Sequence, residues 1–239
     1  SSPTSPQPIS RNNPNWREIL LIRHGATALN SNDHTVDRIR GWQDWQLSDE
    51  GREQAVKLAK KIRVIRPDVL LCSNLTRARQ TAEVISDYIE RPYPELSAAF
   101  LPWDVGCFVG ARSVDAIPRL AAYSIRWPYK QVPGGEAFAT FRMRLFKGLL
   151  NALRCHVGLV GIVTHHRCER LIKAWAKAEY PEDGSFDQDE FTKKGEPTGH
   201  WEIIKIPVHR LELWEQWLVL QRPHRFHDSD LDRITAEHA

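Results

Sequence analysis

Cysteine is scarce: four residues in 239, at Cys72, Cys107, Cys155 and Cys168, each standing alone. Without a C-x-x-C pair the spacing suggests neither a zinc site nor a disulfide framework, and reduced, buried thiols are the expectation. Long apolar runs are absent as well. The longest, such as 19–22 and 157–163, fall far short of the roughly 20 residues that cross a bilayer. The Ser/Pro-rich start lacks the basic-then-apolar order of a signal peptide. The chain therefore reads as soluble and cytoplasmic. An excess of one charge is also missing. Lys and Arg total 33 against 30 for Asp and Glu, a net +3, far from the basic surplus of a nucleic-acid binder. No nucleic acid and no membrane is expected as a partner, and oligomeric state is not legible.

What is present is an ordinary globular balance, 41% hydrophobic and 26% charged, on a chain long enough for a sizeable core. Residues 1–15 carry Ser, Pro and Asn with little to bury and read as a flexible N-terminal segment. Residues 221–239 read as a polar tail, which leaves 16–220 as one domain. Within it, short apolar runs alternate with amphipathic stretches. A strand at 19–22 ends at Arg23-His24-Gly25. Ser48 caps a helix with Asp49 and Glu50 in its first turn and Ala55, Leu58, Ala59 and Ile62 on one face. A strand at 68–72 precedes a helix bearing Ala78, Ala82, Ile85 and Ile89. After Gly134-Gly135 comes a helix with Phe138, Phe141, Leu145, Leu149 and Ala152, then a strand at 157–163 that ends at Thr164-His165-His166. A helix with Leu171, Ile172, Trp175 and Ala176 and a strand at 201–206, toward one edge, complete the pattern. This rhythm predicts an α/β fold, a three-layer α/β/α sandwich with a largely parallel central sheet. Around Trp214 and Trp217 the periodicity leaves a strand, a packing helix and a subunit contact all open.

Three of these strands stop at polar clusters: Arg23-His24-Gly25, Ser73-Asn74 leading to Arg77, and Thr164-His165-His166. In open α/β sheets ligands bind beyond the carboxyl ends of the strands. Two arginines and two histidines meeting there make an electropositive pocket suited to a phosphoryl group, whose oxygens match the guanidinium fork. A neutral imidazole in that pocket is a competent nucleophile.

The strings themselves carry a resemblance. Leu21-Ile22-Arg23-His24-Gly25-Ala26-Thr27-Ala28-Leu29-Asn30 resembles the R-H-G-x-T-x-x-N opening of the histidine phosphatase superfamily, the phosphoglycerate-mutase-like enzymes. Gly41-Trp42-Gln43-Asp44 with Leu47-Ser48 and Gly51-x-x-Gln54-Ala55 is similar to that family's next loop and helix. Ser73 to Ala82 is similar to its S-x-L-x-R-A-x-Q-T-A segment, Pro133-Gly134-Gly135-Glu136 to its P-G-G-E turn, and Val163-Thr164-His165 to its second histidine. The resemblance implies that His24 attacks phosphorus to form a phosphohistidine that water hydrolyses, with no metal or organic cofactor. Arg23, Arg77 and His165 would hold the phosphoryl oxygens, Thr27 and Asn30 would add hydrogen bonds to them, and Glu136 is a candidate partner for the other nitrogen of His24. The expected partner is a small phosphorylated substrate.

Three departures qualify the match. Aligning Gly106 and Gly110 on the family's E-x-x-x-G-x-x-x-G segment puts Pro102 where a glutamate donates the proton, and the nearest carboxylate is Asp104. The family often has glycines after its second histidine, where this chain has His166-Arg167; these narrow or charge the pocket rim. About twenty residues separate Gly110 from Pro133, little room for the insertion that retains an intermediate in a mutase, which favours hydrolysis. A noncatalytic phosphate-binding or scaffold protein and a phosphoglycerate-type mutase remain the alternatives. Arg79 is expected to be solvated. His34, His156, His200, His209, His224, His227 and His238 show no ligand spacing. Trp42, Trp45, Trp103 and Trp127 are expected to flank the pocket mouth, most as packing and a few for stacking on substrate.

Overall fold

Successive side chains leave a strand on opposite faces, and the first strand uses this to build two cores at once. Ile19 and Leu21 enter one apolar cluster, Leu20 and Ile22 the other. The computed structural model describes residues 15–30, 37–91, 93–178, 186–193 and 195–220. Nearly all of the expected N-terminal segment, the polar tail, and His34, His224, His227 and His238 lie outside these.

Five strands form the sheet: β1 (Trp16–Arg23), β2 (Val69–Cys72), β3 (Glu95–Leu96), β4 (Val160–Thr164) and β5 (Trp201–Pro207), in the order β3-β2-β4-β1-β5. All neighbours are parallel except β5, which runs antiparallel to β1 at the edge. Helices α1 (Asp49–Ile65) and α2 (Thr76–Ile89) cover one face, packing Leu58, Ile62, Ala82 and Ile85 on Leu20, Ile22 and Cys72. The remaining helices are α3 (Ser113–Ile125), α4 (Phe138–Cys155), α5 (His166–Lys177), α6 (Gln188–Thr192) and α7 (Val208–Leu220). On the second face α4, α5 and α7 bury Phe146, Trp175 and Trp214 against one another. The expected three-layer α/β/α sandwich is the architecture observed.

Ser48 caps α1 by accepting from the Gly51 amide at 3.1 Å. The segment left open around Trp214 is the helix α7, its two tryptophans both buried. The strand expected at 157–163 starts only at Val160: Gly158 has φ +80°, the left-handed region, and Val157 stands exposed. Cys72 and Cys168 are buried, but Cys107 and Cys155 are exposed, so the expectation of four buried thiols fails for half of them. Among the described residues no helix is long and apolar enough to cross a membrane.

Candidate active site

Parallel pairing aligns the ends of β1, β4 and β2. Arg23 stands beside Thr164, and Cys72 beside Val163, so the three polar clusters leave the sheet at one level. Main-chain bonds continue the alignment past the strands: the His24 amide donates to Thr164 O at 3.1 Å and the Ser73 amide to Val163 O at 3.1 Å. Gly25 lies back to back with Gly51 of α1, where any Cβ would strike the Gly51 carbonyl. Its amide donates to Thr81 Oγ1, and that hydroxyl donates to the Arg77 carbonyl, which ties α2 to the same turn.

His24 and His165 face each other with ring centroids 5.1 Å apart, and both are almost fully buried. His24 Nδ1 lies 2.7 Å from the Gly25 carbonyl. A carbonyl only accepts, so Nδ1 carries the proton and Nε2 keeps its lone pair. Burial holds His24 well below the ordinary imidazole range, with Arg77, Arg23 and Arg40 pressing the same way and the bond to Gly25 opposing. His165 is lowered in the same direction by burial, then by Arg77, His24, Arg40 and Arg23. Both rings are therefore neutral near pH 7. His165 Nε2 meets Ser73 Oγ at 2.8 Å, and its Nδ1 is enclosed without a partner.

Arg77 donates from Nη1 to Gln43 O at 2.6 Å and from Nη2 to Gly41 O at 3.0 Å, leaving Nε buried and unpaired. Burial, with the charge of Arg40, pushes it down to about 9. Arg23 donates to the Glu196 carbonyl, its Nε is likewise unpaired, and burial pushes it down to about 10. Both remain cations at neutral pH. The N-terminal amides of α5, which has no side-chain cap at His165, open on the same side as favourable ground for an anion.

The remaining expected site residues are placed differently. Thr27 donates its hydroxyl proton to Asn30 Oδ1 at 3.0 Å, and its amide donates to the same oxygen at 2.8 Å; the pair braces the turn after Gly25. Asp104 accepts from the Gly106 amide at 3.2 Å; its own amide donates to the Glu136 carboxylate at 3.0 Å and its carbonyl accepts from the Glu136 amide at 2.9 Å. Among the described residues no bond joins it to His24 or His165. Glu136, the candidate partner for His24, instead forms an ion pair with Arg144 at 2.6 Å. That expectation is corrected: the Gly25 carbonyl does the job, because it is one residue away on a rigid turn. Trp103 is fully buried rather than at the mouth, whereas Trp42, Trp45 and Trp127 are partly exposed. Arg79 is exposed and pairs with Glu83.

Two participants went unread. Arg40 is largely buried, and its charge reaches His24, His165, Arg23 and Arg77. The motif match began one residue after it, at Gly41. Glu169, in the first turn of α5 with its amide donating to the His165 carbonyl at 3.1 Å, is pushed up to about 8 by burial, with Arg23 pulling it back. Its place in the first helical turn after the second histidine was the available signal.

This is an α/β sheet with two facing histidines and two largely buried arginines gathered at its strand ends. The family model for the histidine phosphatase superfamily (branch 1) matches residues 19–190. The chain belongs to that superfamily. It is 26% identical over 148 residues to the Bacillus subtilis (strain 168) "Uncharacterized phosphatase PhoE", covering 62% of this chain and 70% of that one. It is 37% identical over 76 residues to a glucosyl-3-phosphoglycerate phosphatase of Mycolicibacterium vanbaalenii, 32% of each chain. To a probable phosphoglycerate mutase of Erwinia tasmaniensis it is 34% identical over 70 residues, 29% of this chain and 31% of that one. The matches with these last two thus span about a third of each relative's length. Among solved structures, the mycobacterial glucosyl-3-phosphoglycerate phosphatase complexed with VO3 superposes with a TM-score of 0.61 at 18% identity, covering 78% of this chain and 92% of that chain. TTHB049 from Thermus thermophilus gives 0.56 at 26%, with the same coverage.

Proposed function

We propose that the protein is a phosphohydrolase that cleaves a small phosphomonoester through a phosphohistidine on His24, needing neither metal nor organic cofactor. The observation that carries the reading is the bond from His24 Nδ1 to the Gly25 carbonyl, because it leaves Nε2 unprotonated on a buried ring that feels the charges of Arg77, Arg23 and Arg40. The Nε2 lone pair attacks phosphorus as the ester P–O bond breaks. Arg23 and Arg77 receive the equatorial oxygens, and phosphoryl transfer gains most from such positioning and charge stabilisation. With Ser73 donating to His165 Nε2, the Nδ1–H of His165 is free to bond a third oxygen. Water then displaces His24 from phosphorus, releasing phosphate and restoring the neutral ring.

The leaving alkoxide needs a proton, and the corner of 101–106 offers only Asp104. Its carboxylate braces the Gly106 amide, so aryl and acyl phosphates, whose leaving groups depart without help, suit this site better than alkyl esters. The segment between Gly110 and Pro133 is largely consumed by the 13-residue α3, which supports hydrolysis over mutase chemistry. The occupied carboxylates of this corner also favour a second reading, a phosphate-binding protein without turnover.

One assay separates the two. Wild type should cleave p-nitrophenyl phosphate and form an acid-labile phosphoryl adduct on the peptide bearing His24, and His24→Ala should lose at least about 10³-fold in rate. Binding of vanadate with no turnover across aryl and alkyl phosphates would establish the noncatalytic alternative.

A further inference from the structure

Trp42 is anchored through both its loop and its ring and is still exposed, an unusual state for a side chain whose size ordinarily favours burial. The carbonyls on either side of it, Gly41 O and Gln43 O, accept from Arg77 Nη2 at 3.0 Å and Nη1 at 2.6 Å. Asp44 fastens the same loop to the start of α2 by accepting from the Thr76 amide at 2.6 Å and hydroxyl at 2.9 Å. The ring itself is fixed by its Nε1, which donates to Pro102 O at 2.7 Å, and by Arg144, whose guanidinium carbon lies 5.8 Å from the ring centre. With all of these contacts made, Trp42 remains 42% exposed, whereas Trp103, Trp175 and Trp214 fill the core. A strut needs only to be buried; a ring that is immobilised and left open is pre-organised for a ligand.

The anchors also say where that ring stands. At one end is Arg77, the cation assigned to the phosphoryl oxygens. At the other is Pro102, at the position where the family pattern has its proton-donating glutamate. The segment that carries Pro102 is tied beside His165, because Thr164 Oγ1 donates to Phe100 O at 2.8 Å and Cys168 Sγ to Leu101 O at 3.3 Å. Trp42 thus reaches from the phosphoryl cation to the place of the missing acid, where the leaving group of a bound ester belongs. Its indole N–H is already given to Pro102 and cannot serve as an acid. Its face can stack on a flat ring, and an aryl oxide departs without a proton. The lost donor and the presented ring select the same leaving group.

We infer that the substrate is an aryl phosphomonoester whose aromatic ring stacks on Trp42. This deepens the phosphohydrolase reading and rests on the His24 pocket being a phosphoryl site, and the test distinguishes the two.

Wild-type protein is titrated calorimetrically with three ligands whose C–P bond survives a phosphohydrolase: methylphosphonate, cyclohexylmethylphosphonate and benzylphosphonate. The last two are alike in size and differ in flatness and π-face. Benzylphosphonate should bind roughly 3- to 10-fold tighter than the cyclohexyl ligand. That ratio should fall toward one in Trp42→Leu and be partly kept in Trp42→Phe, which restores a ring without the bond to Pro102 and serves if the leucine variant does not fold. Trp45, exposed on the same loop with Nε1 donating to the Gln43 side chain at 3.0 Å, supplies the control: Trp45→Leu should keep the ratio. Equal affinity of the two ring-bearing ligands for wild type overturns the aryl substrate and leaves the His24 pocket standing. A ratio that survives Trp42→Leu, that drops as far in Trp42→Phe, or that is lost in Trp45→Leu instead, overturns the assignment to the Trp42 ring. Failure of all three phosphonates to bind overturns the phosphoryl pocket itself.

Discussion

The two sides of the pocket are built on different principles. On the sheet side Arg23, His24, Ser73 and His165 leave three adjacent parallel strands, and their positions are set by strand register and by main-chain bonds such as His24 N to Thr164 O. On the loop side, residues 101–106 and 133–136 are joined by a few main-chain bonds, such as Glu136 N to Asp104 O, and stapled by side chains. Arg144 donates to the carbonyls of Ala98, Ala99, Leu101 and Pro102 and pairs with Glu136, while Trp42 Nε1 donates to Pro102 O at 2.7 Å. In the proposed mechanism the rigid side supplies the nucleophile and Arg23, with Arg77 coming from α2 beside it. The stapled side holds Asp104, the proposed proton donor, and there this chain has Pro102 where the family pattern has a glutamate. On that mechanism charge stabilisation rests on the fold, and proton delivery on a loop that sequence change can remodel.

Breaking the sheet side should have the larger effect. Arg77→Ala removes a cation whose η nitrogens also brace the 41–43 loop, and should lower kcat/KM by about 10²–10³ on aryl and alkyl phosphates alike. A loss confined to KM would mean that Arg77 only gathers substrate. Asp104→Asn probes the other side. A loss of about 10- to 100-fold on an alkyl phosphate with little change on an aryl phosphate assigns the proton to Asp104; no change on either removes it from the mechanism. Arg144→Ala should cost about 1–3 kcal/mol in denaturant unfolding, since several part-buried carbonyls and the Glu136 carboxylate lose their donor together. An unchanged midpoint would show that Trp42 and the main chain hold the corner unaided.

The same contrast governs what was legible from residues alone. Apolar runs ending in polar clusters located β1, β2 and β4, because hydrophobic period and strand-end position are local properties. The convergence of His24 with His165 is not local; the strand-end rule suggested it, and the ordered motifs gave the two histidines their roles. The loop side resisted. Glu136 was paired with the wrong group because nothing near position 136 announces Arg144, and Arg40 was passed over because a lone arginine in a loop has no spacing that marks it as buried. Val157 was placed in a strand on hydrophobicity alone, with the backbone demand of Gly158 overlooked. Both buried tryptophans of α7 belong to a helix that packs on α4, a tertiary contact that no period reveals.

Glu169 offers the smallest and sharpest probe of the sheet side. Its carboxyl sits at about 8 in the fold against an ordinary value of 4.5, chiefly through burial. Between those values the folded protein keeps a proton that the unfolded chain has released, so stability must fall as pH rises from about 4.5 to about 8. The histidines run the other way: His24, His165 and His166 are all lowered, so the unfolded chain takes up protons that the fold refuses, and stability is lost as pH falls through about 6.5. Glu169→Gln cancels only the first contribution. Its Tm should exceed that of wild type at pH 8, by about 2–4 °C for each kcal/mol recovered in a chain of this size, and the gap should narrow steadily toward pH 5 while the acid-side loss stays in place. A constant gap across that range would mean that Glu169 is ionised in the fold and compensates Arg23. The excess of positive charge around His24 would then be smaller by one, and the sheet side would be less strained than its geometry suggests.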